Sequence, residues 1–384
     1  MSLVLLAVSL VALAVLFAVL RVPMPDAVVY RAEGRAVVHG GDLYGLRVTE
    51  GQLSATYPPF AAVLFVPLAW LPVPVLKAAF LVGNTFLLVW LVHLSARLAG
   101  RPAGLPLLCT ATALALWLEP VFQTFIYGQV NLAVACLVLW DLTRPPGARA
   151  RGVALGIAAG IKLTPGIFLV YLLLRGRGRE AARGAAAFAA TVAVGGLLVP
   201  TATWDFFTRH LYETGRVGKP WIIANQSLQG LVARALREQA PGLAWVLPSL
   251  AVAAAGLWLA RRAPDERWGV LLTAFTALLV SPISWSHHWV WCVPLIAVLL
   301  AEGRHGWAAL TTVLFTARTM WLIPREGDLD LRIPWWQEPF ASPYALLGLA
   351  LLAAAALRLP PFRPGGTGGG DQPSDRISSA STIR

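Results

Sequence analysis

The chain has 384 residues, 57% of them hydrophobic and only 13% charged, with a mean hydropathy of +0.67. Soluble domains carry roughly 25% charged residues, so a water-soluble fold is excluded and the bilayer has to serve as solvent. The net charge of +12 comes as short Arg clusters between apolar runs, a distribution that argues against nucleic acid as a partner.

Sixteen Trp residues, many near the ends of apolar runs, suit the headgroup region. Basic residues are 28 Arg and 3 Lys (Lys77, Lys162 and Lys219), which with abundant Ala, Gly and Pro reads as a GC-rich genome. Cys109, Cys136 and Cys292 sit inside apolar runs and are odd in number, as small core residues are. No CxxC, HExxH or Walker loop occurs.

In chain order, apolar runs predict membrane segments at 3–20, 57–71, 75–96, 103–118, 129–142, 152–174, 184–200, 244–260, 268–281, 288–302, 307–322 and 343–357. The first lacks a charged start and a clean cleavage site and reads as an uncleaved anchor. Arg clusters at 97/101, 144/149/151, 175/177/179/183, 261/262/267, 304 and 358/363 orient the chain with both termini in the cytoplasm. With Arg376 and Arg384, that face holds 17 Arg against 7 acids, and the opposite one 11 Arg and Lys219 against 12 acids. The run 152–174 begins and ends beside cytoplasmic clusters, so it must enter and return, with Lys162-Leu163-Thr164-Pro165 as its turn. The short run 57–71 reads as re-entrant or interfacial. Long loops at 21–56, 201–243 and 323–342 lie outside. The expectation is an all-α polytopic membrane protein of about twelve membrane helices, half-helices counted separately, spanning 1–363. A disordered cytoplasmic Gly/Ser/Asp-rich tail follows at 364–384.

The polar groups in or next to the outer loops are the candidates for chemistry. Pro25-Asp26-AVVYRAEGRAVV reads as a helix lying at the interface, with Val28, Val29, Ala32, Ala36 and Val37 on a bilayer-facing side. Asp26 is either a helix N-cap or a carboxylate available as a general base, and both can hold. Tyr44 and Tyr57-Pro58-Pro59 read as packing and turn residues. Gln129 and Asn131, opening a run on the outer side, are candidates for sugar hydroxyl contacts. Lys162 is the lysine within an apolar run and needs an anionic partner, either a structural one such as Glu119 or a lipid phosphate. His287 and His288 are adjacent, so one should face a cavity and the other pack. Arg216, Lys219, Asn225 and Gln226 lie in an outer segment, where the last two either bind ligand or cap the next helix. The acids Glu326, Asp328 and Asp330 cluster in the last loop and keep a metal or acceptor role open, though the motif-bearing loops hold no carboxylate cluster besides Asp26 and no metal is required.

The stretches PDAVVYRAEG with GGDLYG, TYPPFAAVLFVPLAWLP, YGQVNLAVACLVLWDL, GIAAGIKLTPGIFLVYLLLR, ANQSLQGL and SPISWSHHWVW occur in this order over residues 26–300. Together they resemble glycosyltransferase family 87, the actinobacterial polyprenol-phosphate-mannose-dependent α-mannosyltransferases of the GT-C superfamily. The resemblance implies a GT-C-like bundle at the plasma membrane, an extracytoplasmic active site and a polyprenyl-phosphate-mannose donor. It further implies a glycolipid or lipoglycan acceptor, inversion at the anomeric carbon and no cofactor. In this sequence the implied base is Asp26. Lys162, His287 or His288, and Arg216 are the nominees for the donor phosphate, in that order, while Tyr57, Gln129, Asn131, Asn225 and Gln226 would contact sugar or acceptor. A transporter or lipid flippase is the competing class, favoured by the broken run around Lys162 and disfavoured by the missing inverted repeat.

Overall fold

The computed structural model describes residues 1–358 apart from Pro146. The tail 364–384 and the boundary before it lie outside the described residues, as do Arg363, Arg376 and Arg384. Among the described residues the chain folds into eighteen α-helices joined by 3-10 turns, with isolated bridges at Val48–Leu53 and Asn225–Trp285 and no strand.

Helix α1 (Ser2–Val19) contains no charged residue, and Leu3, Val4, Val8, Val11 and Val15 stay exposed on its surface. Exposed apolar surface of this extent marks contact with lipid. The sharp turn after it leads into α2 (Pro25–His39), an amphipathic helix that packs on α3 (Pro59–Leu64) and the 3-10 turn Val66–Trp70. The run 57–71 is therefore far too short for a span, because Pro67 has no N–H to continue the helix and the chain tightens into the 3-10 turn. Val29 and Ala36 face protein, so α2 does not turn its whole apolar side to lipid.

Then come α4 (Val73–Leu98), α5 (Leu105–Ala115), α6 (Glu119–Tyr127), α7 (Asn131–Leu142), α8 (Val153–Ile161), α9 (Ile167–Leu174), α10 (Gly178–Leu198) and α11 (Pro200–Thr208). The second half holds α12 (Leu228–Leu236), α13 (Leu243–Arg262), α14 (Glu266–Val280), α15 (Cys292–Ala301), α16 (His305–Ala317), α17 (Glu338–Ala341) and α18 (Pro343–Arg358). By length and composition α1, α4, α10 and α13 are each able to cross a membrane alone. The pair α5–α6 is bent by 75° and the segment Trp335–Ala341 meets α18 at 81°, so up to six spans result if each bent pair is one. The twelve apolar runs thus become fewer span-length helices plus shorter apolar ones. Breaks fall where polar groups and prolines interrupt the ladder, as at Glu119-Pro120 and at Lys162 to Pro165.

The run 152–174 is a pair of half-helices whose ends meet. Arg151, just before α8, has a fully buried side chain that bonds Glu266 at 2.6 Å and the carbonyl of Leu142 at 2.6 Å, and pairs with Glu180 at 3.4 Å. Arg177, just after α9, bonds the same two carboxylates. Asp141 caps the start of α8 by accepting from the backbone N–H of Gly152 (2.7 Å) and Leu155 (2.9 Å). Between these ends, α8 lies directly on α10: a Cβ at Gly156 would stand 2.1 Å from the carbonyl oxygen of Gly184. Backbone contact this close needs glycine. The pair thereby carries the break at Lys162 to the opposite end of the bundle.

At that end the long loops are stapled to one another. The buried Arg234 of α12 bonds the carbonyl oxygens of Trp221, Ile222 and Asn225, the Ser342 hydroxyl at 2.6 Å and Glu338 at 3.3 Å. Asp328 accepts from Lys219 (2.7 Å) and Trp221 (3.1 Å), and Asp330 from the Ile223 N–H (3.0 Å). Two of the three clustered acids therefore tie loop 323–342 to loop 201–243. Among the described residues no group of three or more His, Cys, Asp or Glu is placed to hold a metal ion.

Candidate active site

A cavity of about 860 Å³ opens at the end of the bundle that carries the Lys162 break. Its walls come from the start of α2, the segment 51–58, the α6–α7 turn, the α8–α9 break, the stretch after α11, and 277–288. It brings together Asp26, Tyr57, Gln129, Lys162, Arg216 and the adjacent His287 and His288 from six separated points of the sequence. One side is polar, while Leu163, Ile167, Ala277, Val280 and Ile283 make an apolar wall.

Asp26 is not an N-cap. Met24 holds that position with a left-handed φ of 47°, Pro25 follows, and Asp26 sits in the first turn. Its carboxylate is half-buried, and its Oδ2 accepts a hydrogen bond from Gln129 Nε2 at 2.6 Å. Burial lifts Asp26 to about 6, held back by the Gln129 hydrogen bond and then by the charge of Lys162. Glu33, two turns along the same helix, is pushed up to about 8 by burial and secondarily by Asp26. Burial thus sets two carboxyl groups on one helix apart, Asp26 giving up its proton at lower pH than Glu33.

Gln129 is delivered by Gly128, the C-cap of α6 with φ of +67°, packed against α2 so tightly that a Cβ would lie 2.7 Å from that of Ala27. Gly128→Ala is expected to combine a left-handed backbone cost of about 1–2 kcal/mol with that clash. The displaced amide would lose its grip on Asp26. A lowered melting temperature of the purified variant checks this.

Lys162 has no contact with Glu119. Glu119 is fully buried and accepts instead from Trp321 Nε1 and Tyr344 OH, each at 2.8 Å. The Lys162 ammonium is held by Asn131 Oδ1 at 3.0 Å and His288 Nε2 at 2.9 Å, and stands 5.3 Å from the centre of the Tyr57 ring. An ammonium has three donors, so one remains for a ligand. Both histidines line the cavity, contrary to the expected division into one facing and one packing, because a 3-10 turn over Ser286–Trp291 sets their rings at 85°. His288 steadies Lys162, whereas His287 is 5% exposed and neither of its ring nitrogens has a partner among the described residues. Arg216 reaches the cavity while bonding the Tyr44 carbonyl at 2.5 Å and facing Glu213 at 3.9 Å.

Three predicted sugar contacts fall elsewhere. Asn225 donates to the carbonyls of Pro220 (2.8 Å) and Pro282 (3.1 Å) and accepts from the N–H of Ser284 (2.9 Å) and Ser227 (3.2 Å). Gln226 donates to the carbonyls of Ile223 and Ala341 and accepts from the Tyr344 N–H. Both are fully buried, outside the cavity, with their amides spent on backbone; the cap of α12 is Ser227. Asn131 bonds Lys162 and the His287 carbonyl (3.1 Å), and so supports the cation without lining the main cavity. Tyr57 and Gln129 do line it. Sequence reasoning missed Tyr30, whose hydroxyl bonds Gln129; its place four residues after Asp26, on the same helix face, was the available signal. It also missed Tyr127, packed 5.1 Å from His287, and the rim residues Gln52, Ser54 and His210.

A polytopic helical bundle whose cavity joins carboxyl groups, cationic side chains and apolar residues defines a membrane protein with an amphipathic site. The profile of glycosyltransferase family 87 matches residues 55–282. Two curated Mycobacterium tuberculosis proteins are similar over more than four-fifths of their length. A polyprenol-phosphate-mannose-dependent alpha-(1-2)-phosphatidylinositol mannoside mannosyltransferase is 33% identical over 86% of this chain and 84% of its own. The corresponding pentamannoside mannosyltransferase is 35% identical over 88% and 83%. The crystal structure of ArnT from Cupriavidus metallidurans bound to undecaprenyl phosphate aligns with 91% of this chain and 77% of its own, at 17% identity and a TM-score of 0.43. The chain belongs to glycosyltransferase family 87 and is a multi-pass membrane glycosyltransferase. Asp26 lies before the segment matched by the family profile and within a chain that its relatives match over more than four-fifths.

Proposed function

We propose that the protein transfers mannose from a polyprenyl-phosphate-mannose donor to a hydroxyl of a phosphatidylinositol-mannoside-like glycolipid, with inversion, at the extracytoplasmic face. The observation that carries this reading is the cavity that holds Asp26 and the Lys162 ammonium together beside an apolar wall. Asp26 removes the proton of the acceptor hydroxyl as its oxygen attacks the anomeric carbon, and the bond to the donor phosphate breaks on the opposite face of the sugar. The leaving phosphate needs no strong acid. It needs cations where its charge grows, which Lys162 supplies first and Arg216 second, with His287 free to hydrogen-bond. The polyprenyl chain would lie along Ile167, Ala277, Val280 and Ile283.

Purified protein given labelled polyprenyl-phosphate-mannose and phosphatidylinositol mannosides should produce a longer mannoside carrying label. Absence of transfer to every mannoside acceptor would overturn the substrate assignment. Sidedness rests on the Arg distribution. The three native cysteines are buried, so an introduced cysteine reads out cleanly. Glu50→Cys should react with an impermeant maleimide in intact cells, and Arg183→Cys only after permeabilisation; the reverse pattern would invert the orientation.

A further inference from the structure

The base is one end of a longer hydrogen-bonded chain. Gln129 Oε1 accepts from two phenols, Tyr30 OH at 2.8 Å and Tyr57 OH at 3.0 Å, while its Nε2 donates to Asp26 Oδ2. Tyr30 is 3% exposed and does not line the cavity. Its ring is fixed by stacking on Phe65 at 4.4 Å and Tyr57 at 5.7 Å. A carboxamide has one acceptor end and one donor end. The two hydroxyls, 3.3 Å from each other, both donate to Oε1, and the amide turns its NH2 group toward the Asp26 carboxylate, which can only accept. A flipped amide would set its carbonyl oxygen against the carboxylate and take the shared acceptor from Tyr30 and Tyr57, leaving their hydroxyls the 3.3 Å contact with each other.

We propose that Tyr30 is a positioning residue that, acting through Gln129, fixes which Asp26 oxygen is free to receive the acceptor proton. Oδ2 is engaged by the amide, while among the described residues none donates to Oδ1, and Asp26 lines the cavity. The inference rests on the base role of Asp26 proposed above. Asp26 also feels Lys162 from the α8–α9 break, Tyr127 at the end of α6, Tyr57, and Glu33 and Tyr30 on its own helix. Gln129 is the neighbour whose bond favours the ionised form directly.

The test is a double-mutant cycle read as pH profiles. Tyr30→Phe keeps the stacked ring and should lower kcat by about tenfold with the donor KM unchanged. The acidic limb of kcat/KM should move to higher pH, because an amide held by Tyr57 alone favours the carboxylate less. In a Gln129→Leu background, which shows the same limb shift by itself, adding Tyr30→Phe should change nothing further. A wild-type kcat and limb in a Tyr30→Phe enzyme of unchanged melting temperature would overturn the proposal, as would full additivity of the two changes. If Tyr30→Phe does not fold, an unmoved limb in Gln129→Leu alone overturns it. Activity surviving in Asp26→Asn would instead remove the base reading itself, a separate outcome.

Discussion

Asp26→Asn is expected to reduce mannosyl transfer by at least about 1,000-fold, within the range general-base catalysis supplies, while membrane expression and donor binding persist. The substitution is nearly isosteric, and an Asn oxygen still accepts from Gln129 Nε2, so packing at the start of α2 has no reason to change. What is lost is the lone pair basic enough to take the hydroxyl proton. The wild-type pH profile carries a second signature of the same group. The base works ionised; with Asp26 raised to about 6 rather than the ordinary 3.8, kcat/KM should hold above that value and fall as pH drops through it. An unburied aspartate would hold its activity some two pH units lower, by the size of that shift. Full transfer by Asp26→Asn, or a profile flat down to pH 4, would exclude this carboxylate as the base.

Lys162→Met is expected to lower kcat by roughly 100- to 1,000-fold, the range seen when one preorganised donor to a developing anion is removed. The lysine is placed by two neutral acceptors, Asn131 Oδ1 and His288 Nε2. With no fixed carboxylate bonded to it, the charge stays available for a phosphate. Lys162→Arg should not restore activity, since a planar fork cannot occupy a seat built for a compact ammonium between two partners at 3.0 and 2.9 Å. Single-turnover rates against donor concentration separate a loss in chemistry from a loss in binding. A Lys162→Met enzyme with wild-type single-turnover rates would show that the donor phosphate is neutralised elsewhere, with Arg216 the next group to test.

The sequence by itself determined the solvent, the helical class and the family. Apolar content fixed the bilayer environment, and the Arg clusters predicted that 152–174 must return to its own side, as the Arg151–Glu180–Arg177 contacts show. Motif order was enough for family 87 because it needs no knowledge of distances. The tertiary structure decided which polar residues meet. Asn225 and Gln226 read like ligand-binding amides, yet their neighbours are backbone carbonyls and N–H groups from distant loops, which no local pattern reveals. Glu119 and Lys162 looked like partners from depth alone, but the bend after α5 sends Glu119 to Trp321 and Tyr344. Helical spacing could place Tyr30 on the face of Asp26, while only the approach of Gly128 to α2 supplies the Gln129 that links them. Period and composition are properties of the chain; a site is a set of distances between residues about a hundred positions apart, and those are fixed by packing.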